Sequence, residues 1–362
     1  MGKAKWESIK QNQYSANINP LGLSLSVKNT ILSHLNSIIH YPDPECRGLR
    51  AAISAFYSLE TSFILPGNGA AELLYLLMEV LRPKRVLIPA PSFSEYARAA
   101  VSVHADVVYW PLQVEAGFQP DLGVLAAEAC HFDCLFLANP NNPTGNLLPR
   151  REIIQLLESL QHTDTYVVID ESFIDFRSDG GEYSVADLVR SYPRLIVLHS
   201  LTKIFALPGL RLGFAAAAPE LVAAAEAHTD VWHVNVLAQA AGVAALQDTE
   251  YLARTQSFVQ AEGNYLYGEL QKLPDLRVWP PSVNFILGQS IRQDLPAHVL
   301  RQHLQNKGIL LRDCGNYPGL TPYFFRLAVR TRRENERLIH DLRACLTAKS
   351  TEKNAVNSIT QS

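Results

Sequence analysis

Short, nearly unbroken apolar runs alternate with longer amphipathic stretches through the middle of the chain. The runs at 86–89, 107–110, 134–138, 166–170, 195–199 and 212–215 are rich in β-branched, aliphatic or aromatic residues. Such runs predict strands buried on both faces. Between them, 70–81, 94–103, 122–129, 150–160 and 185–190 carry helical spacing. Strands and helices in alternation predict an α/β unit: a mostly parallel sheet flanked by helices. The pattern changes after residue 246. A long helix is expected at 251–273, then strands at 276–279 and 284–287, a helix at 297–307, strands at 309–312 and 324–329, and a helix at 333–346. This reads as a smaller α+β unit. The expected organisation is an arm over 1–30 that lies across the cleft and joins the small unit, a large domain over 31–246, a small C-terminal domain over 247–348, and a polar tail over 349–362.

Composition narrows the classes. The chain has 362 residues and a formal charge of -3, which argues against nucleic acid or a membrane surface as the partner. No apolar run is long enough to span a bilayer, and the N-terminal residues carry no hydrophobic signal segment. Cys46, Cys130, Cys134, Cys314 and Cys345 are odd in number and scattered. They read as reduced thiols of a cytoplasmic protein, and Cys130 with Cys134 has no second pair to complete a metal site.

The chemistry concentrates in Ser200-Leu-Thr-Lys203-Ile-Phe-Ala-Leu-Pro-Gly-Leu-Arg211-Leu-Gly213. A lysine amine condenses with an aldehyde only when neutral, so it needs desolvation or a nearby cation. A hydroxyl three residues before it and an arginine eight after it suit a phosphate held close to that amine. Lysine, hydroxyl and arginine around a small anionic aldehyde describe a pyridoxal-phosphate site. Gly67-Asn-Gly69-Ala70-Ala71 opens a helix whose free N–H groups suit a phosphate. Asn139-Pro-Asn-Asn142-Pro-Thr-Gly145 follows a strand as a rigid loop that aims an amide. Asp170 ends the most hydrophobic strand, where a carboxylate is costly unless paired. Facing a pyridine nitrogen, it keeps that nitrogen protonated and the ring an electron sink.

In this order the motifs resemble fold-type I pyridoxal-phosphate enzymes of the aminotransferase superfamily, over about residues 17–329. The resemblance implies that Lys203 carries the cofactor, and that Ser200, Arg211, Gly69 and the Ala70 and Ala71 amides hold its phosphate. It implies that Asn142 bonds the phenolic oxygen, Asp170 the ring nitrogen, and that Phe93 stacks on the ring. Tyr41 matches a residue that reaches the phosphate from a neighbouring subunit, which implies a homodimer with shared sites. Phe173 departs from the pattern: many members have a tyrosine there that also bonds the phenolic oxygen. Loss of that donor predicts a raised pKa for the lysine–cofactor linkage.

Arg326 matches the arginine that binds the substrate carboxylate, and Arg312 one near a second anionic group. With Asn19, Leu21 and Gly22 of Asn17-Ile-Asn-Pro-Leu-Gly22, they form the expected substrate site. A phosphorylated amino acid fits. Within the superfamily the local signatures look most like the L-threonine-O-3-phosphate decarboxylases of cobalamin biosynthesis, which act on threonine phosphate and leave serine phosphate open as a second substrate. Histidinol-phosphate aminotransferases share nearly every catalytic residue and remain the alternative. Decarboxylation and transamination differ in which bond to Cα stands perpendicular to the cofactor ring, an angle that residue spacing leaves open. A third class, ligand sensors built on the same fold, usually attaches a DNA-binding domain, for which this chain has too few residues before Asn17 and no basic patch.

Overall fold

The computed structural model describes residues 12–347. The expected tail over 349–362 therefore lies outside the described residues. Strand β1 (Asn12–Gln13) opens the described chain. Seven strands then build the large sheet: β2 (Ile64–Gly67), β3 (Arg85–Ala90), β4 (Asp106–Pro111), β5 (Cys134–Ala138), β6 (Tyr166–Asp170), β7 (Leu195–Ser200) and β8 (Gly213–Ala216). Their spatial order is β2-β8-β7-β6-β5-β3-β4. Neighbours from β4 to β7 are parallel, whereas β8 runs antiparallel to both β7 and β2.

The apolar runs are long because both faces are covered. Side chains alternate across a strand. Val86, Ile88, Phe136, Val168, Ile196 and Leu198 pack on one face against Leu73, Leu74, Leu77 and Met78 of the helix Ala70–Leu81. Leu87, Leu135, Val167, Ile169 and Val197 pack on the other, against the helices Leu122–Ala129, Arg150–Leu160 and Val236–Gln247. The run at 107–110 is the exception. It forms the edge strand β4 of the sheet among the described residues, with Val108 and Tyr109 exposed.

The smaller unit has the antiparallel order β12-β13-β10-β9, formed by β9 (Leu276–Val278), β10 (Phe285–Ser290), β12 (Arg312–Asp313) and β13 (Phe324–Ala328). The helices Thr249–Gln271, Ala297–Gln305 and Arg332–Thr347 accompany it. The run expected as one strand at 309–312 splits. Ile309–Leu310 (β11) pairs in parallel with β1, and Arg312–Asp313 turns to β13. Tyr14, fully buried in this unit's core, anchors the N-terminal segment there.

Several elements escape the expected pattern, the helix Leu25–Ser33 among them. Strand β2 contains Pro66 and Gly67, which read as a turn, yet an edge position tolerates the missing N–H. The helix Arg47–Tyr57 has only Leu49 and Ile53 fully buried. The helix Val236–Gln247 is alanine-rich with a buried glycine, so it lacks a polar stripe. Residues 185–190, expected as an α-helix, form a 3-10 turn over Ala186–Arg190.

Candidate active site

The carboxyl ends of parallel strands share one rim of a sheet, where ligands gather. Here β2, β3, β5, β6 and β7 all point the same way. Their ends deliver Gly69 and Ala70, Phe93, Asn142, Asp170, and Ser200 with Lys203 to that rim. Strand β8 runs the other way, so the segment before it, with Arg211, arrives at the same edge. Gly213 pairs with both Ser200 and Gly67, which brings hydroxyl, guanidinium and glycine turn together.

The result is a cavity of about 340 Å³ lined by Ala70, Ala71, Phe93, Asn142, Asp170, Ser200, Lys203, Arg211, Arg312 and Arg326 among others. Gly69 has φ +84, and a Cβ there would meet Arg211 Nη2 at 2.9 Å. A side chain at Gly69 would fill the cradle. Arg211 itself adopts φ +59, a left-handed conformation that surrounding structure must enforce. Burial, then Arg211 and Arg326, lower the pKa of Lys203, against a smaller opposing pull from Asp170. The amine is thus moved towards its nucleophilic form.

Asp170 is buried at the cavity wall. Tyr96 donates its phenolic O–H to Asp170 Oδ2 at 2.6 Å, and the Ser172 N–H donates to Oδ1 at 2.9 Å. The carboxylate is aimed and its charge compensated before any ligand arrives. Ser200 Oγ lies 2.7 Å from Thr202 Oγ1. Arg326 donates to Asn142 Oδ1 and, at 2.9 Å, to the Ser15 carbonyl, while its buried Nε has no partner. Since Asn142 uses its oxygen for Arg326, its amide N–H groups remain to donate. Arg312 donates to Asn316 at 3.1 Å and lies over the Tyr317 ring, 5.2 Å from its centroid. The donor set fits pyridoxal phosphate: a carboxylate for the ring nitrogen, a low-pKa amine for the aldehyde, and hydroxyl, arginine and helix N–H groups for the phosphate.

Of the Asn17–Gly22 segment only Asn17 lines the cavity, together with the preceding Ser15 and Ala16; Asn19, Leu21 and Gly22 are not among its lining residues. The Asn19 amide is consumed elsewhere. It donates to the Ile204 carbonyl, Tyr251 and Thr255, and its backbone N–H donates to the Lys203 carbonyl. Asn19 thereby fastens the lysine turn to the helix Thr249–Gln271. Leu21 donates to Asn19 Oδ1, and the Gly22 carbonyl accepts from Tyr251. Tyr41 is 76% exposed, away from this cavity, and stacks on Trp232 at 4.2 Å. Phe173 lines the cavity and packs edge-on against Phe285. Tyr96 and Tyr317 escaped sequence reasoning. Tyr96 stands three residues after Phe93, about one helical turn, and that spacing was the available signal.

The sequence profile of the aminotransferase class I and II family matches residues 10–342. The threonine-phosphate decarboxylase of Salmonella typhimurium is 38% identical over 336 residues, covering 92% of this chain and 91% of that protein. Among solved structures, the histidinol-phosphate aminotransferase from Clostridium acetobutylicum aligns with TM-score 0.87 at 29% identity, over 92% of this chain and 99% of that one. The L-threonine-O-3-phosphate decarboxylase from Porphyromonas gingivalis aligns with TM-score 0.83 at 27% identity, over 93% of this chain and 100% of that one. The chain belongs to the aminotransferase class I and II family, with the fold of its type I pyridoxal-phosphate enzymes. The histidinol-phosphate aminotransferase from Sinorhizobium meliloti, solved in complex with pyridoxal-5'-phosphate, shares the fold with TM-score 0.86 at 20% identity, over 96% of this chain and 95% of that one.

Proposed function

We propose that this protein decarboxylates L-threonine O-3-phosphate to (R)-1-amino-2-propanol O-2-phosphate and carbon dioxide, for the nucleotide loop of cobalamin. One observation carries the reading. Arg312 and Arg326 are direct cross-strand partners on β12 and β13, and both line the cavity beside Lys203. Like charges directly opposite each other repel, so the pair suits a ligand with two negative groups. Threonine phosphate brings a carboxylate and a phosphate. The 38% identity to a threonine-phosphate decarboxylase supports the same substrate.

Bound pyridoxal phosphate supplies a protonated ring that accepts the electron pair left at the α-carbon when carbon dioxide departs. The chain's residues do the rest. Asp170, aimed by Tyr96, holds the proton at the ring nitrogen. Ser200, Arg211, Gly69 and the Ala70 and Ala71 amides hold the cofactor phosphate, Asn142 donates to the phenolic oxygen, and Phe93 covers the ring. Lys203 anchors the aldehyde. Lys203, or a water it positions, would supply the proton that the α-carbon takes up in place of carbon dioxide. Arg326, fixed by Ser15 and Asn142, grips the carboxylate, and Arg312 the substrate phosphate.

The test offers threonine phosphate, serine phosphate and histidinol phosphate, each with 2-oxoglutarate. Carbon dioxide release from threonine phosphate without consumption of the keto acid is expected. Glutamate formation from histidinol phosphate would instead establish the aminotransferase.

We further propose a cytoplasmic homodimer in which Tyr41 serves the neighbour's phosphate. The exposed Tyr41 stacks on the exposed Trp232, and its segment of the chain also carries the exposed apolar side chains Leu32, Ile38 and Ile39. Such a patch suits an interface between subunits. The division of the chain at about residues 30 and 246 is part of the same proposal.

A further inference from the structure

We infer that His199 is a positioning residue: a buried cation that holds Asp170 and Ser200 in place from the reverse face of the sheet. The inference rests on the pyridoxal-phosphate reading of the cavity. Asp170 opposes Leu198 in the parallel pair of β6 and β7. Side chains alternate, so Asp170 and Ser200 face the cavity while the adjacent Glu171 and His199 face the other side. There the His199 and Glu171 side chains are fully buried. His199 Nε2 lies 3.2 Å from Glu171 Oε2, and Nδ1 lies 3.9 Å from Asp175 Oδ2. Neither ring nitrogen has an aligned hydrogen-bond acceptor, so the two carboxylates meet the ring at charge-pair distance without a directed hydrogen bond.

The surroundings demand a charge on the ring. Glu171 also accepts from Ser184 Oγ at 2.5 Å and from the Val185 N–H at 2.7 Å, and Asp175 accepts from the Tyr57 phenol at 2.8 Å. The ring is stacked on Phe214, with centroids 4.7 Å apart, and touches Tyr57. The facing titratable groups are thus Glu171, Asp175 and Tyr57, and burial first, then Asp175 and Glu171, push the Tyr57 pKa well up. A neutral imidazole would leave the buried Glu171 and the largely buried Asp175 with neutral hydrogen-bond donors only and no counter-charge among the described residues, which is unfavourable. Burial pulls the imidazole pKa down, but Asp175 and Glu171 outweigh it and raise it to about 9.

Displacement of His199 has a short route to the cofactor site. A Cβ at Gly213 would meet the His199 carbonyl at 2.6 Å and the Ala70 nitrogen at 2.8 Å. There is no slack between the backbone of His199, strand β8 and the first helical amide at the phosphate cradle. Glu171, tied to His199, adjoins Asp170 directly.

The variant His199→Phe keeps a flat ring on Phe214 and removes the charge. Binding of pyridoxine 5'-phosphate, which has no aldehyde to link with Lys203, is titrated by fluorescence against the wild-type and variant apoproteins. The expected result is binding at least about tenfold weaker in the variant at pH 7, with the ratio falling towards one as the pH passes 9. Equal affinity at pH 7, or a ratio independent of pH, overturns the proposal. Nitrogen-15 NMR of the wild-type imidazole is the second measurement, should the variant not fold. Two protonated ring nitrogens at pH 7 are expected, and a neutral ring overturns the proposal. A wild type that takes up neither pyridoxine phosphate nor pyridoxal phosphate would refute the cofactor reading, a result distinct from the charge of His199.

Discussion

The phenol of Tyr96 gives the sharpest test of how the site is built. Tyr96→Phe deletes one oxygen and keeps the ring, which stacks on Phe136 at 5.0 Å and is almost fully buried. The packing should survive. Asp170 loses one of its two protein donors, the 2.6 Å bond, and keeps only the Ser172 N–H. A hydrogen bond to a charged group contributes about 1.5–3 kcal/mol, and a buried acceptor left short of a donor bears the full loss. That cost divides between the apoprotein, where the carboxylate is less well compensated, and the cofactor complex, where it is also less well aimed. The predicted quantity is therefore the sum of two measurements: the change in urea-unfolding free energy of the apoprotein and the change in cofactor binding free energy. The sum should reach at least about 1.5 kcal/mol. If both change by less than about 0.5 kcal/mol, the size of an ordinary surface substitution, then Tyr96 does not hold Asp170.

Arg326→Lys keeps the charge but loses the planar fork that reaches Ser15 and Asn142. Steady-state kinetics should show KM rising by about tenfold or more, a loss of roughly 1.4 kcal/mol; an unchanged KM would remove Arg326 from the substrate site. Asn19→Ala strips buried donors from the Ile204 carbonyl, Tyr251 and Thr255. Urea unfolding should show a loss of about 2–3 kcal/mol, with the cavity's own ligands untouched. Stability should also depend on the charge of His199. Its pKa is about 9 in the folded protein and about 6.5 in an unfolded chain. A raised folded value means the charged form favours folding. Its contribution, roughly 3 kcal/mol, is fully present below about pH 6.5, declines above it and is gone once the pH passes about 9. The difference in unfolding free energy between wild type and His199→Phe, measured from pH 6 to 10, should fall over that window, and a flat difference would contradict the assignment.

The ordered motif set was legible because each part follows a strong strand–loop boundary. A run such as 134–138 or 166–170 ends abruptly in Asn-Pro or Asp-Glu, and the carboxyl ends of parallel strands share one rim. Lys203, Asp170, Asn142, Ser200 and Arg211 therefore could be grouped before any coordinate was known. Strand β2 could not, because Pro66 and Gly67 imitate a turn and only the antiparallel β8 beside them makes them a strand. Nor could the work of Asn19 be read, since its partners lie 185 to 236 residues away.

Local pattern thus settled the α/β class and placed the candidate residues at strand ends, because alternation and loop chemistry are short-range properties. Folding alone decided which face each side chain took. It put Arg312 opposite Arg326, Tyr96 against Asp170, and His199 between Glu171 and Asp175. Those contacts join distant segments through strand register, and register is set by the whole packed sheet, beyond the reach of any stretch of sequence.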